Sequence, residues 1–215
     1  MTDITQNLER MNRDVMMIRD PIYVPEIDLH FIDKRIVKGV LNRNYQTTKD
    51  VLKDQKMAMP TPSQFRAFLK HLRNSQEQEH QDFYRNLSRS YNQYLSTWLN
   101  ARFEERDGGM YMISEDVLID GECKDQELKL NDCLMNDRRI PHKGISLDEW
   151  LDSTTPHGLP YANIPDGDLF YSHPMDGRVA WFGSYNTKIA QFSCEVDPKF
   201  HDYQIGSFGV CKKDN

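Results

Sequence analysis

The chain has 215 residues, of which 38% are hydrophobic and 28% are charged, a composition typical of a globular protein with a well-hydrated surface. Its formal net charge is -6, from 27 Lys and Arg against 33 Asp and Glu. Because nucleic-acid binders use a basic surplus or stripe to neutralise phosphates, this balance argues against a nucleic-acid partner. No stretch approaches the roughly 18 uninterrupted apolar residues of a membrane span, so no membrane partner is expected.

The N-terminal 20 residues are polar and have no clear hydrophobic period. This predicts an arm or a peripheral helix at 1–20, followed by a single domain over 21–215. The N-terminus has no basic patch followed by an apolar run, so it does not resemble a secretory signal, and we expect a cytoplasmic protein. The four cysteines include no C-x-x-C pair, so we expect buried, reduced thiols and no zinc ribbon.

The clearest local signal in the sequence is a helix start at Thr61. Thr61 offers a side-chain oxygen as N-cap, Pro62 suits the first helical position, and Gln64 completes a capping box. The apolar residues that follow at helical spacing define one buried face; they are Phe65, Phe68, Leu69 and Leu72.

A longer helix is predicted from about Gln78 to Arg106 because apolar residues recur there in steps of three and four. This stripe consists of Phe83, Leu87, Tyr91, Tyr94, Leu95, Trp98, Leu99 and Phe103. Gly108-Gly109 would end the helix. Such a stripe predicts core packing.

The second half of the chain is predicted to be richer in turns and strands. The charged region 120–145 is expected to be an irregular excursion on the surface, and Ser146 to cap a short helix carrying Trp150. Three C-terminal strands are expected to form one antiparallel sheet: Val179–Phe182, Ile189–Cys194 and Phe208–Lys212. Helices followed by a small antiparallel sheet define an α+β fold.

The sequence carries no strong catalytic motif. EF-hand spacing, G-x-G-x-x-G and Walker loops are absent, so we predict no metal, no cofactor and no catalytic residue. One alternative is a hydrolase or oxidase-like enzyme whose pocket is formed by His157, Asp168, His173, Cys194 and His201. A second alternative is a structural subunit of an assembly, which would expose the helix 78–106 as an oligomer seam.

The composition of the stretch from Gly177 to Cys211 is typical of a surface that binds a partner molecule. Small apolar residues alternate there with segments rich in Trp, Tyr, Asn, Ser and Lys, which are enriched in recognition surfaces. Phe182 and Phe208 are expected in the core. Side chains alternate between the two faces of a strand, so either the odd or the even positions of 181–193 can be exposed, not both. Lys188 is too costly to bury unpaired, so we expect the even positions to be exposed.

Two segments carry a resemblance to a known family. The segment Met59–Phe65, MPTPSQF, is similar to the LPTEAEW helix start of one branch of the C-type lectin-like fold. The segments Arg178–Trp181 (RVAW), Asp197-Pro198 and Ile205–Cys211 (IGSFGVC) are similar to its closing motif. This branch includes the formylglycine-generating (sulfatase-modifying) proteins and the variable proteins of diversity-generating retroelements. The resemblance spans roughly residues 55–213.

The resemblance implies a scaffold and a binding role. The cysteine pair that formylglycine-generating enzymes use for oxidation has no counterpart here, and the calcium-sugar motifs of true lectins are absent. The partner would be a protein or a glycan, and the source a virus or mobile element, which adds a virion-associated location to the cytoplasmic one. The implied ligand surface comprises Trp181, Ser184, Tyr185, Asn186, Lys188, Gln191, Ser193, Glu195, Lys199 and His201.

Overall fold

The computed structural model describes residues 20–89, 96–135, 143–183, 190–201 and 205–212. The helices within these ranges are α1 (Tyr45–Asp54), α2 (Pro62–Asn74), α3 (Gln78–Arg89) and α4 (Leu147–Asp152). The strands are β1 (Ile22–Val24), β2 (Leu29–Ile32), β3 (Thr97–Arg106), β4 (Gly109–Ile119), β5 (Glu122–Lys129), β6 (Lys143–Ile145), β7 (Leu169–Ser172), β8 (Val179–Gly183), β9 (Gln191–Val196) and β10 (Gly209–Lys212). None of these helices is long and apolar enough to cross a membrane.

The strands form two sheets. The larger has seven strands in the order β5-β4-β3-β8-β9-β7-β6, and the smaller has three in the order β1-β2-β10. Within the large sheet β7 and β9 are parallel, and the other strand pairs are antiparallel. Helices and sheets in one chain confirm the α+β class. The predicted order, helices first and a small antiparallel sheet afterwards, is wrong, because strands and helices are interleaved and the main sheet is large and mixed.

The last strand does not pair as predicted. β8 and β9 are antiparallel neighbours in the large sheet, whereas β10 pairs with β2 in the small one, with Val210 opposite Phe31. Both residues are buried, at 0% and 1% exposure. The apolar pattern therefore predicted the position of β10. It did not predict the pairing with β2, because the two strands lie almost 180 positions apart along the chain and local patterning does not encode such a contact.

The predicted helix 78–106 is wrong in its second half. α3 ends at Arg89, residues 90–95 lie outside the described residues, and residues 97–106 form β3. Leu99, Ala101 and Phe103 are buried in the main core at a spacing of two, which is the period of a strand. Because residues 97–106 form β3, between β4 and β8 in the sheet, the continuous helix 78–106 that the structural-subunit alternative would expose is wrong.

The Gly-rich end of that segment is a hairpin turn, not a helix end. Asp107 and Gly108 join β3 to β4 with φ values of 50° and 70°. Two consecutive positive φ angles are typical of a type I′ turn, for which Asp-Gly is a favoured pair.

The helix start at Thr61 is confirmed. The Thr61 side chain accepts a hydrogen bond from the backbone N–H of Gln64, and the Gln64 side chain accepts one from the N–H of Thr61, at 3.2 and 3.0 Å. Phe65, one turn further on, lies 5.2 Å from the ring of Phe182 and 5.9 Å from that of Phe208. Helix α2 thereby packs on the large sheet and holds the C-terminal segment in the main core, as predicted for Phe182 and Phe208.

Where it is described, the region 120–145 is neither irregular nor wholly at the surface, since Leu130, Cys133 and Ile145 are buried in the main core. Glu122–Lys129 is an edge strand paired with β4, and most of its residues are exposed. Its alternating charges protect an open sheet edge from pairing with another chain. After this region the predicted cap is confirmed, since Ser146 Oγ accepts from the N–H of Glu149 at 3.2 Å. Of the predicted arm at 1–20, residues 1–19 lie outside the described residues.

The opposite face of the large sheet carries a second, smaller core. It consists of Val37, Val40, Tyr45, Leu52, Met59, Trp98, Val179, Trp181 and Ile205. The loop after β2 and helix α1 cover this face, and the loop is fastened by a hydrogen bond from Asn42 N–H to the carbonyl of Ile205 at 2.9 Å. The segment after β9 is fastened in turn, because Pro198 accepts from the N–H of Tyr45 at 3.2 Å.

Candidate functional site

A groove of about 390 Å³ lies where this second core ends along β8 and β9. Its lining residues are Trp181, Gln191, Ser193, Glu195, Val196, Asp197, Phe200 and Ile205. The volume falls in the range of small-molecule and side-chain binding pockets. The groove is therefore formed by the sheet face and by the segment that follows β9.

The polar side of the groove follows from strand alternation. Gln191, Ser193 and Glu195 are spaced by two on β9, so their side chains point to one face. Phe192 and Cys194, at the even positions, have 0% exposure in the main core. The preference for even positions is therefore wrong on β9, because burying a Phe and a Cys decides which face turns inward. Lys188, on which that preference relied, lies outside the described residues.

Trp181 forms the floor of the groove. It lies opposite Ser193 on β9 and opposite Trp98 on β3, so the three side chains share one face of the sheet. Trp181 is 5% exposed and Ser193 is 2% exposed. Both residues belong to the ligand surface that the resemblance implies, yet both are buried, because they belong to the enclosed face of the sheet.

The indole of Trp181 is unusual among the three tryptophans of the chain, all of which are described. Trp98 Nε1 donates to the carbonyl of Arg43 at 3.1 Å, and Trp150 Nε1 donates to that of Gly158 at 3.0 Å. Within the described part of the chain, the buried Nε1–H of Trp181 has no acceptor. A buried donor without a hydrogen bond lowers the stability of the fold by about 1–3 kcal/mol, so most such groups in proteins have a partner.

At one end of the groove, the segment after β9 contributes a carboxylate, Asp197, and an aromatic ring, Phe200. Asp197 pairs with Arg178, with 3.1 Å between Oδ2 and Nη1, and its Oδ1 accepts from the N–H of Lys199 at 2.8 Å. Phe200 extends from the same segment with 41% of its surface exposed. Lys199 and His201 are exposed on this segment as expected, but they do not line the groove.

Of the ten predicted ligand-surface residues, the structure brings four together in the groove: Trp181, Gln191, Ser193 and Glu195. Four others, namely Ser184, Tyr185, Asn186 and Lys188, lie outside the described residues. The prediction missed Val196, Asp197, Phe200 and Ile205. A usable signal existed for Asp197 and Phe200, because the polar, Pro-containing segment Asp197–Tyr203 after a predicted strand is typical of an exposed loop.

The residues proposed for an enzyme pocket do not assemble around a reactive cysteine. Cys194 has 0% exposure in the main core, and burial raises the pKa of its thiol well above the ordinary value. His201 is exposed on the segment after β9, and burial lowers the pKa of the half-buried His157. In the described ranges, no group of three or more His, Cys, Asp or Glu side chains is placed to hold a metal ion.

A second cavity, of about 240 Å³, lies between the end of α1 and β4. Its charged groups already pair with one another: Lys49 with Glu115 at 2.8 Å, and Lys53 with Asp116 at 3.1 Å. The amide of Asn100 is also occupied, since it accepts from Tyr45 Oη and donates to the carbonyl of Glu115. Among the lining residues, all of them described, no buried side-chain polar atom lacks a partner. The groove at Trp181 is therefore the better candidate.

Comparisons with protein-family models, with curated proteins and with solved structures find no match to this chain.

Proposed function

We propose that this is a non-catalytic binding protein that recognises a protein or glycan partner through the groove at Trp181 and the surrounding face of the C-terminal strands. The observation that carries the proposal is an open groove of about 390 Å³ that is lined by Trp181 and by the polar row Gln191, Ser193 and Glu195 on β9. Side chains that a strand holds in place need little ordering when a ligand binds, which lowers the entropic cost of binding.

The scaffold we propose is C-type lectin-like. Its support is that the two segments carrying the resemblance pack against each other, since Phe65 of the first contacts Phe182, next to the RVAW segment, and Phe208 of the closing segment. Segments that define a family motif are expected to meet in a shared core. A cytoplasmic or virion-associated location and an origin in a virus or mobile element belong to the same proposal.

A binding role fits the groove better than catalysis does. Apart from two carboxylates, its lining is apolar, amide or hydroxyl. Among the described residues that line it, none is a cysteine, histidine or lysine that could act as a nucleophile or a base near neutral pH. Polar groups that fix orientation on an apolar floor are typical of recognition pockets.

The test is to apply the purified full chain to a glycan array and to a peptide array, and then to repeat each binding measurement with two variants. Glu195→Gln removes one carboxylate charge from the lining, and Phe200→Ala removes the exposed wall. Ile36→Ala is the matched control, since Ile36 is 40% exposed, close to the 41% of Phe200, and does not line the groove. We expect both groove variants to weaken binding and the control to preserve it. Binding that survives both groove variants, or no binding on either array, would overturn the proposal.

A further inference from the structure

The outer face of the small sheet carries a row made of a phenol, an imidazole and a thiol. Tyr23 on β1 lies opposite His30 on β2, and His30 lies opposite Cys211 on β10. All three residues are half-buried, whereas Val210, the residue before Cys211, is buried in the main core. Because side chains alternate along a strand, the row of Tyr23, His30 and Cys211 lies on the face that points away from that core.

The pairing of Cys211 with His30 places a thiol beside an imidazole. Directly opposite residues of antiparallel strands have Cβ atoms about 4.5–5.5 Å apart on one face, a gap that two side chains of this length can span. An imidazole next to a cysteine can act as its base, and the imidazolium that results stabilises the thiolate, which is the reactive form of the side chain. Cys211 therefore has a neighbour that is typical of reactive cysteines.

The neighbours of His30 hold its ring in this row. The rings of Tyr23 and His30 lie 5.1 Å apart, with 37° between their planes. The Tyr23 hydroxyl donates to Asp28 Oδ1 at 2.8 Å, which anchors the tyrosine on the far side of His30 from Cys211. In the part of the chain that the structure describes, the buried Nδ1 of His30 has no hydrogen-bond partner. The imidazole is therefore not committed to a structural hydrogen bond through that atom.

The charges at the end of β10 act on the other face of the small sheet. Strand alternation turns the side chain of Lys212 away from the face of Cys211, and it extends over Gly121 in the turn between β4 and β5. The carboxylates that flank Gly121 in the chain belong to Asp120 and Glu122, so they lie on the side of Lys212 and not on that of the thiol.

Asp28 is the remaining charged group near the row. Its carboxylate is exposed and accepts from the Tyr23 hydroxyl, so water and ions screen its effect on the thiol. The segment after α1 also meets β10, but it does so through Met57 and Ala58, which carry no charge. Of the titratable groups described around β10, His30 is the one directly opposite the thiol.

The other three cysteines of the chain, all of them described, have different surroundings. Cys133 and Cys194 are buried in the main core. Cys123 is exposed on the edge strand β5, where it lies opposite Leu118, and the neighbouring strand β4 contains no histidine. Cys123 is therefore an internal reference: an accessible thiol of the same chain without an adjacent imidazole.

We propose that Cys211 and His30 form a reactive thiol site that exchanges with low-molecular-weight disulfides of the glutathione type. The thiol proton passes to His30, and the thiolate attacks one sulfur of the disulfide RSSR. The S–S bond breaks to give Cys211–S–S–R and the thiolate RS⁻, which takes up the proton from His30; an excess of the thiol RSH reverses the exchange. The site lies on the small sheet and does not use the groove at Trp181, so it goes beyond the proposed binding function.

The test compares the two accessible cysteines as the pH changes. The full chain is mixed with excess 4,4′-dithiodipyridine, quenched with acid at several times, and digested, and mass spectrometry gives a reaction rate for each cysteine. Cys123 is more exposed and should react faster near pH 8, so the readout is the ratio of the Cys211 rate to the Cys123 rate. We expect this ratio to rise at least about fivefold from pH 9 to pH 6, because a thiol beside an imidazolium stays thiolate at lower pH. A ratio that does not change with pH would overturn the proposal.

Two variants assign the effect to His30. His30→Gln keeps a polar side chain of similar size but removes the base, so the ratio should lose its dependence on pH. His80→Gln is the matched control, since His80 contacts Ser75 and Glu77 around the start of α3 and not the small sheet; it should preserve the rise. Thermal denaturation of both variants checks the fold. A rise that survives His30→Gln in a folded protein would show that His30 is not the base.

Glutathione disulfide tests the ligand class itself. After incubation with the full chain at pH 6.5, we expect a mixed disulfide at Cys211 that dithiothreitol removes, and a much smaller amount of it in His30→Gln. Reaction of Cys211 with dithiodipyridine but not with glutathione disulfide would show that the thiol is reactive and that the proposed class of disulfide is wrong.

Discussion

Trp98 and Trp181 face each other across β3 and β8, yet among the described residues only the indole of Trp98 has a hydrogen-bond acceptor. Both rings belong to the smaller core, with exposures of 0% and 5%. The difference arises at the edge of the covering loop, which supplies the carbonyl of Arg43 to Trp98 and nothing equivalent to Trp181. One tryptophan therefore stabilises the fold, and the other is left with an unmet donor beside an open groove.

This contrast predicts unequal costs for the same substitution. Trp98→Phe removes a buried hydrogen bond, leaves the carbonyl of Arg43 without its donor and opens a small cavity, so we expect a loss of about 2–3 kcal/mol in the free energy of unfolding. Trp181→Phe loses the same ring volume but removes a donor that has no acceptor among the described residues, so its loss should be smaller by about 1 kcal/mol. Urea denaturation of both variants measures the difference. Equal losses would mean that the Trp181 N–H has a partner in solution.

The capping box at Thr61 gives a second stability prediction. Thr61→Ala removes the acceptor for the N–H of Gln64 at the start of α2, and a lost N-cap typically costs about 1 kcal/mol. Thr61→Ser keeps the hydroxyl and is the control, with an expected change of a few tenths of a kcal/mol at most. Thermal or urea denaturation of the two variants decides the point: a Ser variant as unstable as the Ala variant would show that the lost methyl group, not the cap, is responsible.

The structural features that could be predicted from the sequence are those that depend on neighbouring residues. The Thr61 cap and the Ser146 cap depend on side chains within three residues of the capped N–H, so both were predictable. The strand β9 was likewise predictable from its apolar alternation. Features set by distant partners were not: the pairing of β10 with β2 and the partners of each sheet depend on contacts between the two ends of the chain.

The error in residues 97–106 has a specific cause. Leu95, Trp98, Leu99 and Phe103 fit a helical spacing, but Leu99, Ala101 and Phe103 fit a strand equally well. Asp107-Gly108 immediately after this segment is a hairpin signal that could have resolved the ambiguity. For the site, the resemblance implied Trp181 and the polar row on β9, whereas the enclosing residues Val196 and Ile205 required the folded chain.

Thiol labelling tests the rejection of a cysteine nucleophile. Burial raises the pKa of Cys133 to about 11 and that of Cys194 well above the ordinary value, so at about pH 8 neither is significantly thiolate. Cys123 is exposed and should react first with a thiol reagent. We expect Cys133 and Cys194 to react only after denaturant is added, as measured by mass spectrometry of peptides from the labelled protein. Labelling of Cys194 in the native protein at a rate close to that of Cys123 would restore the enzyme alternative.

The C-terminal strand is expected to be essential to the fold. Val210 has 0% exposure, lies opposite Phe31, and exchanges two backbone hydrogen bonds with Ala58, at 2.8 and 2.9 Å. Deleting residues 206–215 removes β10, uncovers β2 and takes Phe208 out of the main core, so the truncated chain should show no cooperative unfolding transition. Val210→Asp tests the same contact at one position, because an unpaired carboxylate among apolar side chains costs several kcal/mol. Lys212→Ala, at the exposed end of β10, is the control and should unfold like the wild type. A truncated chain that melts cooperatively near the wild-type temperature would show that the small sheet does not depend on its last strand.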